Sequence, residues 1–297
     1  MQEIQLKAIT TDKVMLPQFA SHGIEMDMLR LDKIHPLISG NKWFKLRYYL
    51  EEARQQNKKR VITFGGAWSN HLLATAAACQ LFRFRCTGII RGEKPAVLSG
   101  ILQQAAALGM HLVFLDRSAY AAQEIPAELR MEENYFVQQG GYGVPGAKGA
   151  AGIAEFIDPS ANYSHILCAT GTGTMLAGLI RSEPGQREFV GISVLRNNFS
   201  LEEEVRRLLP GKTNHFTLLN DYHFGGYAKH TEELIRFMNN WYSATGIPTD
   251  FVYTGKLCFA TADLAEKNFF PAGSRILLIH SGGLSGNASL KKGTLIF

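Results

Sequence analysis

The sequence predicts an α/β protein built as two doubly wound, three-layer units with mostly parallel sheets. Three observations carry this. Short, nearly continuous apolar runs recur along the chain, as expected of strands buried on both faces. Helical stretches alternate with those runs. Glycines and small polar residues collect where a run ends and a helix begins.

In chain order, the polar, charge-mixed start MQEIQLKAITTDKV has no apolar leader core. A helix is expected over Leu46 to Arg54, after the turn Ser39-Gly40-Asn41. RVITFGG (60–66) reads as a strand and SNHLLATAAACQLF (69–82) as a helix; RCTGIIRG (85–92) is a strand, VLSGILQQAAALG (97–109) a helix and HLVFLD (111–116) a strand. The glycine-rich stretch 138–152 breaks this rhythm and is read as a crossing between units. Beyond it come a strand at HILCAT (165–170), a helix at TMLAGLI (174–180), a strand at FVGISV (189–194) and a helix at LEEEVRRLL (201–209). A long helix over 230–246 ends at a glycine, and RILLIH (275–280) is the final strand. The smaller unit is expected over 50–150, and the larger over 1–49 plus 151–297.

The 297 residues carry 46% hydrophobic and 19% charged side chains, an ordinary globular mix. The net charge of +5 is modest, and the longest basic run, Lys58-Lys59-Arg60, is too short for a nucleic-acid patch. No apolar run approaches the ~20 residues of a membrane span. The four cysteines, Cys79, Cys86, Cys168 and Cys258, form no CxxC pair and read as buried thiols of a reduced, cytoplasmic protein. No HExxH or close Cys/His cluster suggests a metal, and no GxSxG suggests a serine nucleophile.

Ligands of open α/β sheets sit at the carboxyl ends of strands, so the strand-to-helix junctions matter most. Four stand out. In GGAWSNH (65–71), Ser69 suits an N-cap with Asn70 beside it. Alone, this motif is read as a cap. In ATGTGTMLAG (169–178), Gly171 and Gly173 allow a nest of N–H groups, and Thr172 and Thr174 add hydroxyls. Leu176 replaces the third glycine of a dinucleotide fingerprint, which disfavours an NAD-type module, and there is no Walker lysine; the nest suits a lone phosphate. In DFVYTGKLCFA (250–260), Tyr253 and Thr254 are expected to end a short strand. In IHSGGLSG (279–286), His280 and Ser281 close the last strand, where a structural glycine turn is the simpler reading.

A monophosphate nest and a lysine beside aromatic residues together suggest pyridoxal phosphate, whose aldehyde reacts with a neutral lysine amine. Burial and a second nearby cation would lower that amine from its usual ~10.4. This chemistry does not separate Lys42 from Lys45.

The ordered motifs SGNKWFKLRYYLEEA, GGAWSNH, TGTGT, VYTGK and HSGG resemble those of the 1-aminocyclopropane-1-carboxylate (ACC) deaminase and D-cysteine desulfhydrase family, over nearly the whole chain. The resemblance implies a pyridoxal-phosphate enzyme of fold type II, like the tryptophan synthase β-subunit, acting on a small amino acid and usually dimeric. It implies that Lys42 carries the cofactor and that Lys45 lies near the phosphate with Gly171, Thr172, Gly173 and Thr174. Asn70 would contact the ring hydroxyl, Ser69 the substrate carboxylate, and Tyr253 would serve in acid/base work. Tyr227 resembles a second family tyrosine, although the proline that follows it in the family is missing. ACC deaminases resemble one another in a Glu after the first tyrosine and a Leu before the GG; here Thr254 and Ser281 stand there, as in the desulfhydrase branch. A threonine hydroxyl can only donate to a neutral pyridine nitrogen, a weaker electron sink that still suffices when a leaving group departs. The expected reaction is therefore α,β-elimination from D-cysteine, with ACC deamination as the alternative. Trp68 replaces a usual Gln in the substrate-facing loop; an indole filling that pocket would instead make the chain a catalytically silent pyridoxal-phosphate binder.

Overall fold

The larger sheet of the structure, a computed structural model describing residues 3–182, 187–209 and 215–297, is assembled from both ends of the chain. The elements run β1 (Thr11–Lys13), α1 (Pro17–Ser21), β2 (Glu25–Arg30), α2 (Asn41–Gln55), β3 (Arg60–Gly65), α3 (Asn70–Phe82), β4 (Arg85–Arg91), α4 (Gly100–Ala107), β5 (Met110–Leu115), α5 (Arg117–Ala121) and β6 (Asn134–Val137). They continue with α6 (Val144–Ala151), β7 (His165–Thr170), α7 (Thr174–Ser182), β8 (Glu188–Ser193), α8 (Leu201–Arg207), β9 (Thr217–Leu219), α9 (Glu232–Thr245), α10 (Thr254–Glu266) and β10 (Arg275–His280). The larger sheet has the order β1-β2-β10-β7-β8-β9, and the smaller β5-β4-β3-β6. Strand pairs are parallel except β1 with β2. The architecture is thus α/β with mostly parallel sheets in two domains, and α2 runs through residues 49 and 50 without a break.

The central strands are apolar because helices cover both their faces. β7 is buried along its whole length, and so is α3 from Asn70 to Cys79. α3 therefore shows almost no amphipathic contrast, as a helix enclosed between layers should.

Several elements differ from the expectation. α2 starts at Asn41, five residues before Leu46, so Lys42 lies in its first turn. α4 starts only at Gly100, because Ser99 caps it by accepting the Leu102 N–H. The glycine-rich stretch contains a helix, α6, packed on α2 and α7. Its glycines mark close approach: a β-carbon at Gly149 would run into the carbonyl of Phe44. No strand precedes Tyr253; residues 251–253 form a turn organised by Asp250. β1, β2, β6 and β9 were not anticipated; they are short, or alternate in burial as β2 does.

Candidate active site

The carboxyl ends of β3, β4 and β7 converge with the starts of α2, α3 and α7 around a cavity of about 210 Å³. Gly40 sets the entry to α2. Its φ of 63° and ψ of −140° suit glycine, and a β-carbon there would collide with the Ser281 carbonyl. The next residue, Asn41, donates its N–H to that carbonyl and so ties α2 to the end of β10. This turn aims Lys42 into the cavity. Its Nζ donates to Asn41 Oδ1 at 2.8 Å and stands 5.7 Å from the centre of the Tyr253 ring. Lys45 lines the cavity one turn later and is only 6% exposed.

Burial lowers the Lys42 amine to about 8, against an opposing pull from Asp250. Burial lowers Lys45 further, to about 7, with the Lys42 charge adding to the effect. Among the described residues, neither amine forms an ion pair. Two enclosed lysines without a carboxylate partner form an unbalanced positive pocket, which a phosphate would neutralise.

Facing them is the loop before α7. Gly171, Thr172 and Gly173 line the cavity, and Gly173 has φ 72°. The hydroxyl of Thr174 lies 2.9 Å from that of Thr172. Thr174 itself is fully buried behind the lining. The turn at Gly140 and Gly141, both at positive φ, closes over Lys45; a β-carbon at Gly141 would sit 3.1 Å from the Lys45 β-carbon.

His71, which the sequence reading passed over, is 2% exposed and lines the same cavity. Its Nε2 lies 2.8 Å from Thr63 Oγ1, whose own proton goes to the Val137 carbonyl. Nε2 therefore donates. Burial, with both lysine charges adding, holds the ring neutral with a value of about 3. Nδ1 is left as a bare acceptor without a protein partner.

Ser69 caps α3 by accepting the Leu72 N–H, and its hydroxyl proton remains free for a ligand. Asn70 lines the cavity while donating to the Gly283 carbonyl and accepting from Ser285. Tyr253 and Tyr227 stand edge to face, with ring centres 6.2 Å apart. Burial, helped by Tyr227 and Asp250, holds the Tyr253 phenol well above its ordinary value, so it stays protonated. Burial raises Tyr227 to about 12.

Asp250 organises this corner. It is fully buried and accepts the N–H groups of Val252, Tyr253 and Thr254 and the hydroxyl of Thr254. Lys256, also fully buried, donates to the carbonyls of His223 and Gly226, the two ends of the turn that leads into Tyr227.

Four residues expected at the ligand do not line the cavity: Thr174, which lies behind the lining, and Thr254, Ser281 and Trp68. The hydroxyl of Thr254 folds back onto Asp250, donating to Oδ1 at 2.7 Å and accepting the Asp250 N–H. Ser281 is buried beneath Gly40, with its carbonyl serving Asn41. Trp68 points outward at 38% exposure, which removes the feature that favoured a silent binder. His280 is structural: its ring meets the Pro248 carbonyl and Asp32. Lys42, Lys45, Ser69, Asn70, Gly171, Thr172, Gly173, Tyr227 and Tyr253 are brought together; Asn41, His71, Arg91 and Gln139 join them unannounced. Among the described residues, no group of His, Cys, Asp or Glu could hold a metal, and no helix is long and apolar enough to cross a membrane.

Enclosed cations, a neutral-capable amine and an N–H nest fit pyridoxal phosphate. Comparison with known proteins agrees. Residues 4–282 match the family described as pyridoxal-phosphate dependent enzyme, and the chain belongs to it. A Pyrococcus horikoshii protein named, provisionally, a 1-aminocyclopropane-1-carboxylate deaminase is 32% identical over 267 residues, 84% of this chain and 81% of that one. A mitochondrial Arabidopsis thaliana protein named bifunctional D-cysteine desulfhydrase/1-aminocyclopropane-1-carboxylate deaminase is 28% identical over 297 residues, 89% of this chain and 74% of that one. A crystal structure titled as an ACC deaminase homologue superposes with a TM-score of 0.80 at 29% identity, covering 96% of this chain and 94% of that one.

Proposed function

We propose that this chain catalyses α,β-elimination from a small D-amino acid, converting D-cysteine and water to pyruvate, ammonia and sulfide. The observation that carries this reading is that, among the described residues, no carboxylate lines the cavity. The nearest buried one, Asp250, is already saturated by three N–H groups and a hydroxyl. Pyridoxal phosphate supplies, when bound, an electron sink for the pair left at Cα. Without a carboxylate to hold the ring nitrogen protonated, that sink is weak, and a departing thiolate compensates. Ring opening of ACC offers no such leaving group.

In this reading Lys42 carries the cofactor and then serves as base, because burial lowers its amine to about 8. Tyr253 stays protonated and acts as donor rather than base. Ser69 and the first N–H groups of α3 receive the substrate carboxylate. Lys45 and residues 171–174 hold the phosphate, and Asn70 the ring hydroxyl. A homodimer in a reducing compartment is part of the proposal; the four thiols are free and buried.

The test is release of sulfide and pyruvate by cofactor-loaded protein from D-cysteine, with L-cysteine and ACC in parallel. Sulfide from D-cysteine alone supports the reading. Release of 2-oxobutanoate from ACC with no sulfide from D-cysteine would replace it with the deaminase assignment that relatives' names include.

A further inference from the structure

A second cavity, about 550 Å³, opens beside the cofactor cavity and shares Arg91 and Gln139 with it. Arg91 ends β4, and Arg117 begins α5 two residues after the end of β5. The two strands are parallel neighbours with Arg91 opposite Leu115, so both arginines stand at the carboxyl ends of adjacent strands. Both line the second cavity, and neither makes a side-chain hydrogen bond or ion pair among the described residues. Among the described residues, no carboxylate lines either cavity.

Gln139 sits at the junction. Its Oε1 accepts the Tyr120 hydroxyl at 2.7 Å, which leaves its amide N–H groups for a ligand. Arg91, an exposed residue, reaches over the loop before Ser69: a β-carbon at Gly66 would lie 4.0 Å from its guanidinium. The path from the reacting centre thus runs past Arg91 and Gln139 into a concavity with two unpartnered guanidiniums. Guanidinium forks match carboxylate-type anions, and two like charges in one concavity draw anions inward.

We propose that this side cavity binds an anionic group at the far end of the substrate's β-substituent. This rests on the elimination reading and narrows its substrate class to D-amino acids whose leaving group carries a terminal acid. For S-(2-carboxyethyl)-D-cysteine, the Cα proton is removed and its electron pair forms the Cα–Cβ double bond. The Cβ–S bond breaks and its pair leaves on sulfur. Water then completes pyruvate, ammonia and 3-mercaptopropionate, with no oxidant or reductant. Arg117 lines the side cavity alone, so it separates this role from binding of the α-carboxylate.

The experiment compares kcat/KM of the cofactor-loaded enzyme and its R117Q variant for three substrates. These are S-(2-carboxyethyl)-D-cysteine, the neutral S-propyl-D-cysteine, and β-chloro-D-alanine as a compact control. Calorimetric binding of glutarate to both proteins gives a readout independent of turnover. The acidic substrate should be preferred over its neutral analogue, and R117Q should lower its kcat/KM and weaken glutarate about tenfold, the size of one charge-assisted hydrogen bond. Turnover of β-chloro-D-alanine should not change, and added salt should weaken glutarate in the parent protein. Equal kcat/KM for acidic and neutral substrates overturns the proposal, as does equal glutarate affinity in both proteins or an equal loss on all three substrates. If β-chloro-D-alanine is not turned over at all, the elimination reading fails, and glutarate binding alone then decides whether the cavity takes an anion.

Discussion

Replacing Lys45 with Met should stabilise the cofactor-free protein and cripple its cofactor binding. Lys45 is 6% exposed, and its amine falls from 10.5 to about 7, chiefly through burial and then through Lys42. The unfolded chain therefore binds a proton that the folded chain resists. The resulting penalty is fully present below about pH 7, shrinks as pH rises, and vanishes above 10.5. At 1.36 kcal/mol per pH unit, the penalty at pH 7, where the folded amine is half protonated, is about 4 kcal/mol. Met keeps the length of the side chain and loses the charge. For a chain of this size the gain corresponds to roughly 6 °C in Tm. Scanning calorimetry of the cofactor-free Lys45→Met protein at pH 7 and pH 10.5 checks it: a clear gain at pH 7 and little at pH 10.5. With saturating pyridoxal phosphate the order should reverse, because the variant lacks the phosphate's partner. A Tm at pH 7 equal to or below that of the parent, or a gain that persists at pH 10.5, would refute the reasoning.

Other outcomes follow from the same geometry. Gly40→Ala should cost about 3 kcal/mol or more, since it strains a left-handed backbone and collides with Ser281; thermal unfolding measures the loss, and the bound-cofactor absorbance should fall with it. Lys256→Met removes the ammonium that joins the carbonyls of His223 and Gly226, each of which keeps only its one backbone N–H partner, at about 1–3 kcal/mol of stability. Because that turn leads into Tyr227, its KM should rise more than its kcat falls. Covalent uptake of pyridoxal phosphate by the cofactor-free protein should accelerate about tenfold per pH unit as Lys42 deprotonates, then level off above about pH 8 rather than near 10.5. Stopped-flow absorbance gives that profile.

Much of this site was legible because local chemistry and global fold agree there. β3 is an apolar run, Ser69 is a good cap, and the Gly-Thr loop has the composition of an N–H nest, so each junction announced itself. Where the sequence reading failed, a distant partner decided the outcome. The glycines of α6 look like a linker, yet they exist so that α2 and α7 can approach. Thr254 looked available to a ligand, but Asp250, four residues earlier, claims its hydroxyl. That same Asp250 turned an expected strand into a turn. Trp68 looked like a pocket filler, and only the loop's path shows it turned outward. His71 and Arg91 carry no local signal: one is defined by Thr63 and two lysines, the other by the strand end it shares with β5.

The central claim is that Lys42, aimed by the Gly40 turn, holds the cofactor covalently. The direct measurement is borohydride reduction of the pyridoxal-phosphate-loaded protein, followed by peptide mapping by mass spectrometry. The account predicts the reduced cofactor on Lys42 and unmodified Lys45 and Lys256. The label on Lys45, or on any residue outside the cavity, would contradict it.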